Sequence, residues 1–127
     1  MLQITVLVGG HNCGAAAEAA AKIKGVAKVI KADNACLANG LPENMEKLIL
    51  KVQSDGGFTH VMGSTSAVAK GTLPRVAAKL DVDQISDVID IKGEDTFVRP
   101  IYAGNAISTL KSQDTVKVPC PDKSSLY

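Results

Sequence analysis

Residues 73–110, LPRVAAKLDVDQISDVIDIKGEDTFVRPIYAGNAISTL, change their hydrophobic period part-way, and that change restricts the folds open to the whole chain. Leu73, Val76, Ala77 and Leu80 recur at helical spacing and mark the inner face of a helix, with Thr72 as its cap and Pro74 in its first turn. Beyond Leu80 the pattern shortens. Residues 86–92, 96–103, 105–110 and 115–118 read as short strands, separated by the turn chemistry of Gly93-Glu94-Asp95 and Ser112-Gln113-Asp114. Such a run reads as an antiparallel meander, with Pro100 on an edge or at a bulge.

The upstream chain has a different rhythm. LQITVLV, at residues 2–8, is a branched apolar strand that ends at Gly9 and Gly10. Asn12 stands as the cap of an alanine-rich helix, GAAAEAAAKI, which Gly25 stops. Residues 26–32 form the next strand. Pro42 and Glu43 open a second helix with an apolar stripe at Leu41, Met45, Leu48, Ile49 and Val52, closed by Gly56 and Gly57. FTHVM, at 58–62, is a third strand, with Gly63 to Ser66 as its exit loop. Strands alternating with helices require right-handed crossovers and a parallel sheet covered by helices. The expected fold is therefore α/β: a Rossmann-like three-layer domain, nucleotide-binding in type, with an appended antiparallel β meander. It spans residues 1–118, and 119–127 form a flexible tail.

Composition excludes several classes of function. Fourteen basic against thirteen acidic residues leave a formal charge of +1, with no electrostatic footprint for nucleic acid. Four Phe and Tyr residues and no Trp are too few for a base-stacking platform. No apolar run approaches the roughly 20 residues that span a bilayer. Cys13, Cys36 and Cys120 are odd in number and widely spaced, which argues against a disulfide framework or a structural zinc site.

The candidate sites are loose. Gly9, Gly10 and Gly14 lie between a strand and a helix, where backbone amides can hold phosphate. Their spacing departs from the dinucleotide fingerprint, and only Asp33, just past the second strand, offers an acidic partner, so a tight turn is the simpler reading. Gly63, Ser64, Thr65 and Ser66, with Lys70 and Thr72, form the better anion loop, although no P-loop signature is present. His60 lies in a strand candidate with no Cys, Asp or Glu at ligand spacing, and both His11 and His60 read as structural or exposed rather than catalytic. Asp81, Asp83, Asp87 and Asp90 are irregularly spaced and read as a solvated junction. Arg99 and the turn through Tyr102, Gly104 and Asn105 read as structure. Gly104 and Asn105 tolerate positive φ, and Arg99 suits a buried or interfacial ion pair.

PRVAAKLDVDQISDVIDI followed by DTFVRPIYAGNA resembles the electron transfer flavoprotein α subunit family, in its N-terminal domain. TVLVGG, AAKIKGVAKVIKADNA, LPEN and THVMGSTSAVAKGTLPRVAAKL extend the resemblance over residues 4–118. The resemblance implies a heterodimer with a β subunit. That heterodimer accepts electrons from acyl-CoA and related dehydrogenases and passes them to a membrane quinone oxidoreductase. FAD carries the redox chemistry and is held mainly by the α subunit's C-terminal domain, while AMP sits in the β subunit. The N-terminal domain is implied to be scaffold and subunit interface, which places Arg75, Arg99, Tyr102, Gly104 and Asn105 in structural or interface roles. No FAD-contact motif carries across to this sequence, so the chain alone is expected to bind no cofactor and to be part of an electron carrier rather than an enzyme. The family also carries a strand and helix ahead of LQITVLV and a flavin domain after residue 127. A fragment is therefore expected, whose exposed strand edge invites a partner or a second copy. The implied compartment is the mitochondrial matrix in a eukaryote and the cytoplasm in a bacterium.

Overall fold

The computed structural model describes residues 2–122, which fall into two compact units, Met1–Leu48 and Ile49–Tyr127. The class is the expected Rossmann-like α/β, with parallel strand pairs and an antiparallel sheet appended.

In the first unit, β1 (Ile4–Gly10) pairs in parallel with β2 (Val26–Asp33), from Ile4 opposite Val26 to Gly10 opposite Asp33. The crossover is α1 (Gly14–Ala21), whose small alanines let it lie close to the strands and leave only Ala20 buried. Asn12 does not cap this helix. It takes φ +55 ahead of Cys13, and Cys13 holds the cap position without a side-chain bond. A short 3-10 turn at Ala35–Leu37 follows, capped by the Asn34 carboxamide, which accepts from the Cys36 amide at 3.0 Å. Helix α2 (Pro42–Gly56) starts at the expected proline. It approaches β1 so closely that a Cβ on Gly9 would lie 2.8 Å from Leu48 Cδ2.

The second unit begins within α2. Gln53 closes that helix twice: its carbonyl accepts from the Gly57 amide at 2.8 Å, and its side-chain amide donates to the Phe58 carbonyl at 2.7 Å. The strand expected at 58–62 is a single parallel bridge, His60 to Lys117, in which the Lys117 amide donates to the Thr59 carbonyl and the Val61 amide to the Lys117 carbonyl, each at 2.9 Å. Helix α3 (Ala67–Leu80) begins earlier than expected. Ser66, not Thr72, is the cap, and its hydroxyl accepts from the Ala69 amide at 3.2 Å. Pro74 consequently lies inside the helix, where it removes one ladder donor. The longer helix puts Ala69 against the same core as Leu73 and Ala77. The helix closes on Asp81 in the left-handed region, with the Val82 amide reaching back to the Ala77 carbonyl at 3.1 Å.

Beyond α3, β3 (Gln84–Val88) carries a bulge with Asp87 at φ +56. Then β4 (Asp90–Ile91), β5 (Thr96–Ile101) and β6 (Ala106–Lys111) form the antiparallel sheet, with β5 central. Pro100 lies past the reach of β4, whose pairing ends opposite Val98, so its missing amide costs no ladder bond on that side. The last strand corrects the sequence reading. β7 (Val118–Pro121) is not the end of the meander but a parallel partner of β3, and Pro119, Cys120 and Pro121 lie within regular structure. Of the expected tail, residues 123–127 lie outside the described residues. Among the described residues the core holds two apolar clusters: Leu73, Ala77, Val118 and Cys120, and Ile85, Val88 and Phe97 with Leu110 against them.

Candidate functional site

At the β1–α1 turn, the place where a phosphate would be held is filled by the chain itself. β2 runs one residue further than expected and ends on Asp33. The Asp33 carboxylate accepts from the Asn12 amide at 2.9 Å and from the Cys13 amide at 3.2 Å, and His11 Nδ1 lies 3.9 Å away. An acidic residue at the end of a second strand would face a ribose in a dinucleotide site. Here Asp33 turns back and supplies the negative charge that the helix N-terminus favours. Cys13, with its sulfur 3.7 Å from the Ala32 carbonyl, packs beneath this clasp.

The loop Gly63, Ser64, Thr65 and Ser66 runs into the N-terminus of α3. Thr72 does not join it. Its hydroxyl donates to the Val68 carbonyl at 2.7 Å from inside the helix, and the residue is 2% exposed. Ser66 spends its hydroxyl on the cap, and Gly63 is a packing position, since a Cβ there would lie 2.9 Å from Leu73 Cδ1. The loop is therefore shaped first by its fit against α3.

His60 is held at both nitrogens. Nε2 lies 2.6 Å from the Glu94 carbonyl and donates to it, which leaves Nδ1 to accept from the Thr59 hydroxyl at 2.9 Å. The imidazole thus joins residues 59–60 to the turn between β4 and β5. That turn is further fixed by Asp95, which pairs with Lys111 at 3.1 Å and accepts from the Thr96 hydroxyl. These two contacts lower the Asp95 pKa, Lys111 most. Lys92, 2.6 Å from Asp90, does the same for Asp90, helped by the Ile91 amide. Burial pushes the Cys120 thiol up, against a smaller opposing effect of Lys70.

Asp81 and Asp83 meet Asp114 at a shallow polar notch of about 170 Å³, also lined by Ala78 and Val82, where the Asp83 amide donates to Asp114 at 3.0 Å. Cofactor pockets run to roughly 300–1,000 Å³. Asp87 and Asp90 lie apart from it, in the β3 bulge and in β4. Among the described residues, no group of three His, Cys, Asp or Glu could hold a metal ion, and no helix is long and apolar enough to cross a membrane.

Arg75 lies on the exposed side of α3. Arg99 is half-buried in β5 opposite Ser108, with its Nε buried and unbonded. The Tyr102–Gly104 turn joins β5 to β6 in a conformation the sequence did not suggest. Gly104 has positive φ, as expected, but Asn105 has φ −75, and Tyr102 and Ala103 take φ +52 and +53. Left-handed backbone is costly for residues with a Cβ, by roughly 1–2 kcal/mol each. The turn holds Tyr102 79% exposed, and the neighbouring strand exposes Ile107 at 68%.

The electron transfer flavoprotein domain matches residues 2–125. The chain belongs to the electron transfer flavoprotein family. Over 115 residues it is 53% identical to the electron transfer flavoprotein subunit alpha of Pseudomonas aeruginosa, covering 91% of this chain and 37% of that protein. The corresponding subunit of Paracoccus denitrificans is 49% identical over 115 residues, again with 91% and 37% covered. The mitochondrial subunit alpha of Dictyostelium discoideum is 44% identical over 120 residues, with 91% and 34% covered. The chain thus spans about a third of the length of the relatives it matches. Eukaryotic relatives are named mitochondrial and bacterial ones are not. The electron-carrier family accounts for the mixed α/β frame. The clasp at Asp33 and the left-handed turn at Tyr102 were legible in neither spacing nor periodicity.

Proposed function

We propose that this chain is the N-terminal scaffold and subunit-interface part of an electron transfer flavoprotein α subunit. The whole protein would take electrons from acyl-CoA and related dehydrogenases through FAD and deliver them to a membrane quinone oxidoreductase. Its setting would be the mitochondrial matrix in a eukaryote and the cytoplasm in a bacterium. The observation that carries this reading is the 53% identity spread over 91% of the chain, too extended to reflect a shared local motif. On this reading residues 1–118 serve as scaffold, FAD is held outside this chain, and the partner is a β subunit.

We place the subunit contact at the Tyr102–Gly104 turn, together with Arg75, Arg99 and Asn105. The exposed Tyr102 supports this, because strained backbone persists where the surroundings or a function require it. The purified chain should carry no flavin absorbance and should be retained on an immobilised β subunit. Tyr102→Ala should weaken that retention at unchanged melting temperature. A stoichiometric yellow complex of the chain alone would overturn the scaffold reading. Wild-type retention by the Tyr102→Ala variant would overturn the placement of the contact.

A second reading, an adenine-nucleotide module, is favoured by one observation: Gly63 to Ser66 lead directly into the positive end of α3. Calorimetry with AMP, ATP and FAD decides it, and an absence of heat above buffer for all three removes it.

A further inference from the structure

We propose that the Asn39-Gly40 pair is a site of spontaneous covalent modification, at which the asparagine converts to aspartate and isoaspartate and loosens the seat of α2. The backbone nitrogen of Gly40 attacks the Asn39 side-chain carbonyl carbon. A carbon–nitrogen bond closes a five-membered succinimide, the bond to the side-chain nitrogen breaks, and ammonia leaves. Solvent water then opens the ring at either carbonyl. One opening gives aspartate with the main chain unchanged. The other gives isoaspartate, with the main chain routed through the side-chain carbons. No oxidant or further reactant is needed.

The chain has five asparagines, at 12, 34, 39, 44 and 105, and only Asn39 precedes a glycine, whose lack of a Cβ leaves its nitrogen open to approach. The others are followed by bulkier residues, and two are tied down. Asn34 accepts from the Cys36 amide at 3.0 Å, and Asn44 donates to the Cys36 carbonyl at 2.7 Å from within α2. Asn39 is exposed in the turn between the 3-10 segment and α2, and its side chain makes no hydrogen bond among the described residues. Gly40 takes φ +58. Its amide donates to the Leu37 carbonyl at 3.1 Å, at the end of a short 3-10 turn, where such bonds open readily. The Asp55-Gly56 pair offers a contrast. It sits at the end of α2, where the Asp55 side chain is engaged by Lys51 at 3.0 Å, and a carboxylate is in any case a poorer target for the same attack than a carboxamide.

The consequence follows from position. Asn39 stands three residues ahead of Pro42, the first residue of α2, and Met45 and Leu48 of that helix lie against Gly9. The aspartate product adds a charge that the start of α2 tolerates. The isoaspartate product lengthens the main chain and cannot keep the Gly40-to-Leu37 bond, so α2 shifts on β1.

The test is to age the full chain in mildly alkaline buffer and map it by peptide mass spectrometry. The expected result is conversion at Asn39 ahead of the other asparagines, as two peptides of equal mass that elute apart. The melting temperature should fall in step with the isoaspartate fraction. Asn39→Gln should keep its melting temperature throughout, and fresh Asn39→Asp should melt like fresh wild type. Conversion at Asn39 no faster than at Asn105, or conversion only in urea, overturns the site. An aged chain with unchanged melting temperature overturns the loosening of α2.

Discussion

The first unit leaves its sheet half-buried. From β1 to the middle of α2, the described residues that reach full burial are Ala20, Leu37 and Glu46. The second unit buries Leu73, Val76, Ala77, Ile85, Val88, Phe97, Val98, Val118 and Cys120. Both are built on a parallel strand pair, yet they are held differently. In the second unit, two apolar clusters remove large side chains from water, which is the dominant favourable contribution to folding. In the first, much of the definition comes from the backbone: the β1–β2 ladder, a close helix approach at Gly9, and one carboxylate that fastens the end of β2 to the start of α1. The contrast teaches that similar local topology can rest on area in one place and on a few polar clasps in another.

The sharpest way to break this comparison is a pair of truncations. Phe97→Ala should cost about 3–5 kcal/mol, because the ring is fully buried between Ile85 and Val88. Val6→Ala, in half-buried β1, should cost about 1 kcal/mol. Urea unfolding measures both, and equal losses would refute the contrast. Next in size, Gly63→Val should cost about 1–3 kcal/mol, since its side chain must displace Leu73 and Ala69. A neutral result would remove Gly63 from the packing of α3. Asp33→Ala should then cost about 1 kcal/mol, as loss of a helix cap does. Hydrogen exchange should speed up at Asn12 and Cys13 while the second unit is unaffected, and uniform acceleration would show that the clasp is not local.

The smallest effect concerns pH. Asp90 and Asp95 have pKa values lowered in the fold by Lys92 and Lys111. A lowered folded value contributes stability that is present above the ordinary aspartate value of about 3.9 and is lost as pH falls through the folded value. Both side chains are solvated and screened, so the melting temperature should decline only slightly below that pH. Asp95→Asn with Lys111→Met should flatten the decline. An unchanged slope in the double variant would exclude the pair.

Much of the frame was legible in residue patterns, because α1, β2 and α2 are set by short-range rules: alanine content, branched runs, and a proline at a helix start. The start of α3 was not. Pro74 is locally a start signal, but burial of Ala69 and Leu73 extends the helix past it to Ser66. β7 was misread because two prolines usually end a strand, whereas here they lie in a strand whose partner is β3, more than thirty residues earlier. The 58–62 segment carried strand composition but has only a bridge at His60, an outcome fixed by long-range pairing. Of the candidate anion loop, Gly63 to Ser66 precede α3, whereas Lys70 and Thr72 lie inside that helix. What fills a candidate loop depends on side chains that arrive from elsewhere in the chain, as Asp33 arrives at Asn12.

Tyr102, Ala103 and Gly104 follow one another with positive φ. Three consecutive residues thus wind against the handedness that L-amino acids prefer. A segment of this kind is a natural place for mirror-image chemistry: D-alanine introduced at position 103 by semisynthesis would find the conformation its own stereocentre favours. The β5–β6 connection should then hold more firmly with its atoms unchanged in number and only one centre inverted.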